Sequence, residues 1–145
     1  MTLTDRDEAH LRRALDLARE ARAAGNPPFG SLLVDAGGAV VAEDRNTSLT
    51  DHDITAHPEL KLARWAARNA LDPRGVTMYT SCEPCPMCRG AIDRSGIGRV
   101  VFALSARELD EAKDPGAPST VTAWESDGPH LFPDSVEPVR GYYSG

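Results

Sequence analysis

The chain has 145 residues, of which 41% are hydrophobic and 26% are charged, a composition typical of one folded domain and short for two. Its 16 Lys and Arg against 22 Asp and Glu give a formal net charge of −6, which disfavours a protein that grips nucleic acid with a basic surface. No apolar run approaches the roughly 20 residues of a membrane-spanning helix, and the polar N-terminus lacks the apolar core of a signal peptide. We therefore expect a cytoplasmic protein without membrane or nucleic-acid partners.

The first part of the chain predicts a helix followed by a β-hairpin. An apolar stripe indicates a helix over residues 4–24, which Gly25 ends. Residues 29–34 and 39–42 are short apolar runs, and the Asp-Ala-Gly-Gly sequence between them indicates a hairpin turn. The polar stretch from 45 to 55 is expected to be a loop.

Helices and strands alternate in the predicted second part. A helix is expected to begin near His57, with Pro58 in its first turn, and to end near residue 70. The pattern then predicts a strand over 76–80, a helix from Pro84 to about 95, a strand over 99–104 and a short helix over 105–113. We expect one α/β domain over residues 1–145, with helices on both faces of one sheet and an irregular segment from about 115.

The two later helix starts carry the residues with the clearest chemistry. Cys85 and Cys88 are three residues apart at a predicted helix start, where they lie on one side and the helix dipole stabilises thiolates. An imidazole from His57 would complete three nitrogen and sulfur ligands, the number typical of a catalytic zinc site with one open position. Zinc can lower the pKa of a bound water to about 7.

Glu59 is the sharpest single indication of catalysis. Positions 59, 62, 63, 66 and 70 share one helix face, and the other four residues are apolar, so an acid begins the stripe expected to be buried. A solvated acid in the first helical turn is the alternative interpretation. Because Glu59 lies two residues from a metal-ligand candidate, a general acid–base role is favoured.

These residues resemble the H-x-E…P-C-x-x-C signature of the zinc nucleobase and nucleoside deaminases, with His57-Pro58-Glu59 as one half and the run from Pro84 to Cys88 as the other. The string YTSCEPCPMCRGAI at 79–92 and the segment NPPFG at 26–30 are similar to bacterial guanine deaminases of the cytidine deaminase superfamily. The segment DITAH at 53–57 is similar to both guanine deaminases and tRNA adenosine deaminases. The resemblance covers about residues 11–103.

The resemblance implies a cytidine deaminase-like three-layer α/β/α sandwich with a central mixed sheet of about five strands. It implies one Zn²⁺ per chain, held by His57, Cys85 and Cys88, with Glu59 as the catalytic proton shuttle. It also implies a homodimer and a set of residues around the substrate, namely Asn46, Phe29, Gly30, Ala56, Glu83 and Pro84.

The expected function is zinc-dependent hydrolytic deamination of a small nucleobase-like ring, guanine-type or cytosine/triazine-type, with release of ammonia. A tRNA adenosine deaminase is the first alternative, and the acidic charge argues against it. The second is a non-catalytic module in which Cys82 joins the three ligands in a closed structural zinc site, although this leaves Glu59 unexplained. An iron–sulfur cluster is disfavoured because the chain has three cysteines and lacks a fourth.

Overall fold

The computed structural model describes residues 2–117 and 122–144. Its helices are α1 (Asp5–Ala23), α2 (Pro58–Asn69), α3 (Pro86–Ser95) and α4 (Ala106–Ala112), and its strands are β1 (Gly30–Val34), β2 (Val40–Arg45), β3 (Thr77–Cys82) and β4 (Arg99–Leu104). Two short 3₁₀ helices cover Pro73–Gly75 and Asp134–Val139.

The sheet has four strands in the order β2-β1-β3-β4. Strand β1 pairs antiparallel with both β2 and β3, whereas β3 and β4 are parallel, so the predicted mixed sheet is confirmed. The described residues contain four strands rather than about five, because the Pro- and Gly-rich chain after α4 adds none. Strand β2 is longer than predicted and runs to Arg45, since an edge strand tolerates polar residues on its exposed side.

Alternating side chains of the strands form a separate core on each face of the sheet. On one face, Leu32, Val34 and Tyr79 pack with apolar residues of α1. On the other, Leu33 and Met78 pack with apolar residues of α2. This alternation confirms the predicted three layers.

Helices α2 and α3 begin in the same way. A proline occupies the first turn of each, Pro58 in α2 and Pro86 in α3, and the residue before it is an extended N-cap, His57 or Cys85. Proline suits this position because its missing N–H would have no helical partner there. Helix α3 therefore begins two residues after the predicted start at Pro84, and both expected ligands lie where a chain turns into a helix.

The chain divides into two units, Met1–Asp114 and Pro115–Gly145. The first contains the sheet and all four α-helices, and the described part of the second contains the 3₁₀ helix Asp134–Val139. Of the helices in the described residues, none combines the length and apolar character needed to cross a bilayer.

Candidate metal centre

Three side chains from two helix starts converge on one point. His57 Nδ1 lies 3.7 Å from Cys85 Sγ and 3.5 Å from Cys88 Sγ, and the three ligand atoms all lie within 4.8 Å of one another. Cys88 is buried, and His57 and Cys85 are half-buried. The structure thus brings together the three residues expected to hold the metal.

The spacing of these atoms fits a zinc ion. Zinc–nitrogen and zinc–sulfur bonds of about 2.0 and 2.3 Å at tetrahedral angles separate the nitrogen from each sulfur by roughly 3.5 Å. The two distances from His57 Nδ1, 3.5 and 3.7 Å, are close to that value. A set of one imidazole and two thiolates also matches the borderline-soft ligand preference of zinc and leaves one coordination position for solvent.

Hydrogen bonds among the three side chains also change their pKa values. Hydrogen bonds from the Cys88 thiol and then from His57 lower the pKa of Cys85 to about 3, whereas the pKa of Cys88 is raised, chiefly by its bond to Cys85. The bond to Cys85 raises the pKa of His57. The cluster therefore holds a thiolate at Cys85, the form of cysteine that binds metals.

Glu59 is buried, as the apolar stripe of α2 predicts. Its side chain is inside the protein at 6% exposure, and burial is the main cause that raises its pKa. Ser31 on β1 donates a hydrogen bond of 3.3 Å to Glu59 Oε1. A carboxyl kept from solvent two residues from a metal ligand is suited to proton transfer rather than to helix solvation.

Cys82 lies outside the cluster of three ligands. Among the described residues, the group able to hold a metal consists of His57, Cys85 and Cys88. Cys82 is the last residue of β3 and is buried, and burial is the main cause that raises its pKa to about 11. It is therefore a neutral buried thiol, and the closed four-ligand site is not formed.

Asn46 is held by the loop that leads to α2. Its side chain is 1% exposed, and its Oδ1 accepts hydrogen bonds of 2.8 Å from the N–H and the hydroxyl of Ser48. Because the backbone N–H of Ser48 can only donate, these bonds identify the oxygen of the amide. Asn46 Nδ2 donates to no other described residue and so keeps its donors for a ligand.

Asn26 organises the same loop, a role that its place in the sequence segment NPPFG does not indicate. Its Oδ1 accepts hydrogen bonds of 3.1 Å from the N–H groups of Leu49 and Thr50, and its side chain is buried. Asparagine side chains commonly replace backbone partners in irregular segments, which is the signal that was available. Asn26 thereby fastens the segment between Asn46 and His57.

The other residues expected around the substrate are placed mainly through their backbones. Gly30 packs directly against α1, where an added Cβ would lie 2.7 Å from the carbonyl oxygen of Ala14, so glycine is required there for packing. Phe29 is half-buried, and its carbonyl accepts from the N–H of Asn46. Ala56 is buried, and its carbonyl accepts from the N–H of Thr47.

In the segment before α3, the acid side chain of Glu83 bonds to the start of α4. Glu83 Oε1 accepts a hydrogen bond from the N–H of Ala106 at the start of α4, and the Glu83 N–H donates to the carbonyl of Leu104. Pro84 is half-buried. The Glu83 side chain is therefore engaged by α4, and the roles of Glu83 and Pro84 toward a substrate stay predictions.

Known proteins share this sequence and architecture. The profile of the cytidine and deoxycytidylate deaminase zinc-binding region matches residues 4–104. A probable cytosine deaminase of Schizosaccharomyces pombe is 32% identical over 99% of this chain and 96% of its own length. A tRNA-specific adenosine deaminase of Haemophilus influenzae is 43% identical over 68% of this chain and 58% of its own.

A solved structure gives the same result for the fold. The X-ray structure of guanine deaminase from Bacillus subtilis superimposes with a TM-score of 0.71 at 32% identity, covering 93% of this chain and 92% of that one. The matched residues 4–104 contain the sheet, helices α1 to α3 and the three-ligand cluster. The chain therefore belongs to the cytidine and deoxycytidylate deaminase zinc-binding family.

Proposed function

We propose that this chain hydrolyses the amino group of a small nucleobase-like ring, guanine-type or cytosine/triazine-type, and releases ammonia. The observation that carries the proposal is the buried Glu59 carboxyl, which lies near enough to His57 and Cys85 for their charges to change its pKa. The relatives named above act on guanine, cytosine or an adenosine in tRNA, and all three substrates carry an amino group on a ring carbon next to a ring nitrogen.

The ligands in this proposal are His57, Cys85 and Cys88, with one Zn²⁺ per chain. When bound, the zinc ion supplies a water molecule acidic enough to attack near neutral pH. The half-buried cluster excludes bulk solvent from part of the site, which strengthens each electrostatic contact there.

Glu59 is proposed as the group that moves protons. It takes a proton from the attacking water as oxygen bonds to the amino-bearing carbon, and it delivers that proton to the ring nitrogen. It then takes the remaining proton of the same oxygen and delivers it to the departing amine. The carbon–nitrogen bond breaks with its electron pair leaving on ammonia, and the ring keeps the oxygen as a carbonyl. One water is consumed and one ammonia is formed.

Asn46 is proposed to orient the ring. Its Nδ2 donors are free of other described residues, while its Oδ1 is fixed by Ser48, so it can donate to a ring nitrogen or carbonyl without reorganising. We propose that the remaining substrate contacts come from Phe29, Gly30, Ala56, Glu83 and Pro84. Buried polar groups that pair with only one ring pattern can give strong discrimination between bases.

A free base or nucleoside is favoured over tRNA as the substrate, because a net charge of −6 repels a phosphate backbone. We further propose that residues 1–145 form one catalytic domain with an irregular C-terminal segment, that two chains form a homodimer, and that the protein is cytoplasmic. The last rests on the three cysteines, which are free of disulfides in the structure, the state that a reducing compartment maintains.

A panel of substrates tests the proposal. Ammonia release is measured with the zinc-loaded full chain on guanine, cytosine, adenine, their nucleosides, triazine analogues and a tRNA anticodon stem-loop. We expect turnover of at least one small ring and none of the stem-loop. Glu59→Gln should retain zinc and lose at least a hundredfold in kcat.

Two results would contradict the proposal. Turnover of the stem-loop alone would make the chain a tRNA adenosine deaminase. Stoichiometric zinc with no ammonia from any substrate would favour the non-catalytic module.

A further inference from the structure

Ser31 occupies a position in the centre of the sheet that packing alone does not explain. It is fully buried on β1, directly before Leu32, Leu33 and Val34, whose side chains belong to the apolar core. By alternation along the strand it faces the same side of the sheet as Leu33, which packs against α2. A buried hydroxyl on this face needs hydrogen-bond partners to offset its lost hydration.

The partners of Ser31 link the sheet to the start of α2. Ser31 and Thr80 are directly opposed in the β1–β3 register, and their hydroxyl oxygens lie 2.7 Å apart. Ser31 Oγ also lies 3.3 Å from Glu59 Oε1. Thr80 is itself fully buried, so the three side chains form a continuous polar chain closed off from solvent.

Only one oxygen of the Glu59 carboxylate is held in this way. Oε1 accepts from Ser31, the one side-chain donor to this carboxylate among the described residues, and a further hydrogen bond comes from the backbone N–H of Glu59 itself. A glutamate side chain has three rotatable bonds, and an unheld carboxylate would sample several orientations. A donor fixed on one oxygen therefore selects which oxygen is presented to the metal cluster.

We propose that Ser31, anchored by Thr80, is a positioning residue that orients the Glu59 carboxylate for proton transfer. This inference rests on the proposed function, because it assigns Glu59 the proton-transfer role. Ser31 has one hydroxyl hydrogen and lies within hydrogen-bond distance of both Thr80 and Glu59. In this proposal Ser31 gives that hydrogen to Glu59 and accepts one from the Thr80 hydroxyl, so that each hydroxyl hydrogen has one acceptor. The sheet, the most rigid part of the unit, thus sets the direction of a side chain on α2.

Ser31→Ala and Thr80→Val test this role with little change in volume. We expect Ser31→Ala to lower kcat about tenfold on the best substrate of the panel, with KM changed less than about twofold, because a misaligned proton donor affects the reaction more than binding. Thr80→Val should give a smaller loss in the same direction. Ser31→Thr keeps the hydroxyl and should recover most of the rate.

A matched control separates positioning from general loss of a buried hydroxyl. Ser95→Ala removes a buried serine hydroxyl at the far end of α3, where it bonds the Ile92 carbonyl, and should leave kcat unchanged. Zinc per chain and the thermal midpoint are measured for every variant. In a Glu59→Gln background, Ser31→Ala should change the residual rate less than about twofold, since the two residues act as a unit.

A structural measurement gives a readout apart from activity. Crystal structures should show one Glu59 carboxylate orientation in the wild type and more than one in Ser31→Ala. If the wild type is active and Ser31→Ala has the same kcat as the wild type, this inference is wrong and the proposed function is unaffected. An equal loss in the Glu59→Gln background would also overturn it, and a wild type without deaminase activity would overturn both.

Discussion

At the scale of single residues, three cysteines within seven positions have different roles. Cys85 and Cys88 point to the same place as His57, because one is the N-cap of α3 and the other lies one turn further on. Cys82 ends a strand, and its direction follows the pleat of β3 rather than the helix. The spacing of the cysteines in the sequence does not distinguish the three, because it does not show at which residue the strand ends and at which residue the helix begins.

Substitution of these cysteines separates an open site from a closed one. Cys88→Ala should reduce zinc well below one per chain and abolish activity, because a ligand is lost. Cys82→Ala should retain one zinc per chain and most of the activity, because a neutral buried thiol leaves the cluster intact. Metal analysis by mass spectrometry after dialysis checks both variants, and zinc loss in Cys82→Ala would instead support the structural site.

The sequence predicts the metal cluster and the burial of Glu59 because each of these residues lies at a marked point of the chain. His57 and Cys85 precede prolines, and Glu59 interrupts an apolar stripe. The Ser31–Glu59 contact could not be predicted, since it joins residues 28 positions apart and depends on how α2 lies on the sheet. Asn26 was missed for a similar reason: its partners lie 23 and 24 positions away.

At the scale of elements, a buried ionic network fixes the start of α1 to the sheet. Asp7 is 4% exposed, and it accepts hydrogen bonds from Tyr79 at 2.6 Å and from Arg99 at 3.0 Å. It also closes a capping box with Thr4, which satisfies two helical N–H groups. One carboxylate therefore joins α1, β3 and β4.

The bond from Arg99, and then that from Tyr79, holds the pKa of Asp7 far below its ordinary value of 3.8. Because the folded-state value is depressed, Asp7 stabilises the fold fully above its unfolded value and loses this effect as pH falls through the folded value. Asp7→Asn should lower the free energy of unfolding at pH 7 by roughly 1–3 kcal/mol, toward the lower end because Arg99 is partly exposed. Urea unfolding at pH 7 measures this loss.

The control for that variant lies on the same helix. Asp16→Asn removes an exposed pairing with Arg19 and should change the unfolding free energy by less than about 0.5 kcal/mol. The difference between wild type and Asp7→Asn should also shrink below about pH 4, where the carboxylate begins to protonate in the unfolded chain. A difference that stays constant with pH would show that the charge of Asp7 is not responsible.

Local signals explain which elements the sequence predicts closely. The apolar stripes and caps of α1 and α2 specify their extents to within one or two residues. The end of β2 is missed because the apolar run stops at Ala42 and Arg45 is predicted to begin a loop, whereas pairing with β1 extends the strand to Arg45. The network of Asp7 joins residues up to 92 apart, so no window of sequence contains it.

At the scale of the whole molecule, the described part of the C-terminal unit has more exposed large apolar residues for its length than the first unit. Five large side chains of this unit are about 80% exposed: Trp124, Leu131, Phe132, Tyr142 and Tyr143. Soluble monomers rarely leave so many large apolar groups uncovered in a short segment. This concentration supports the proposed homodimer.

Light scattering of the full chain should give a mass of twice 15.6 kDa at micromolar concentration. Because apolar contacts are not screened by salt, the mass should stay constant from 0.05 to 1 M NaCl, concentrations that span Debye lengths from above 10 Å to about 3 Å. A mass of one chain under all these conditions would refute the homodimer.

Division of the ligands between two helix starts ties metal loading to tertiary structure. His57 belongs to α2, and Cys85 and Cys88 belong to α3, so the energy of ion binding also holds these two segments together. Chelation would therefore loosen the catalytic end first. The far ends of the same helices pack around Val76 and Ile97 and would keep this core. The concentration of available zinc would therefore determine enzymatic activity more than it determines the stability of the fold.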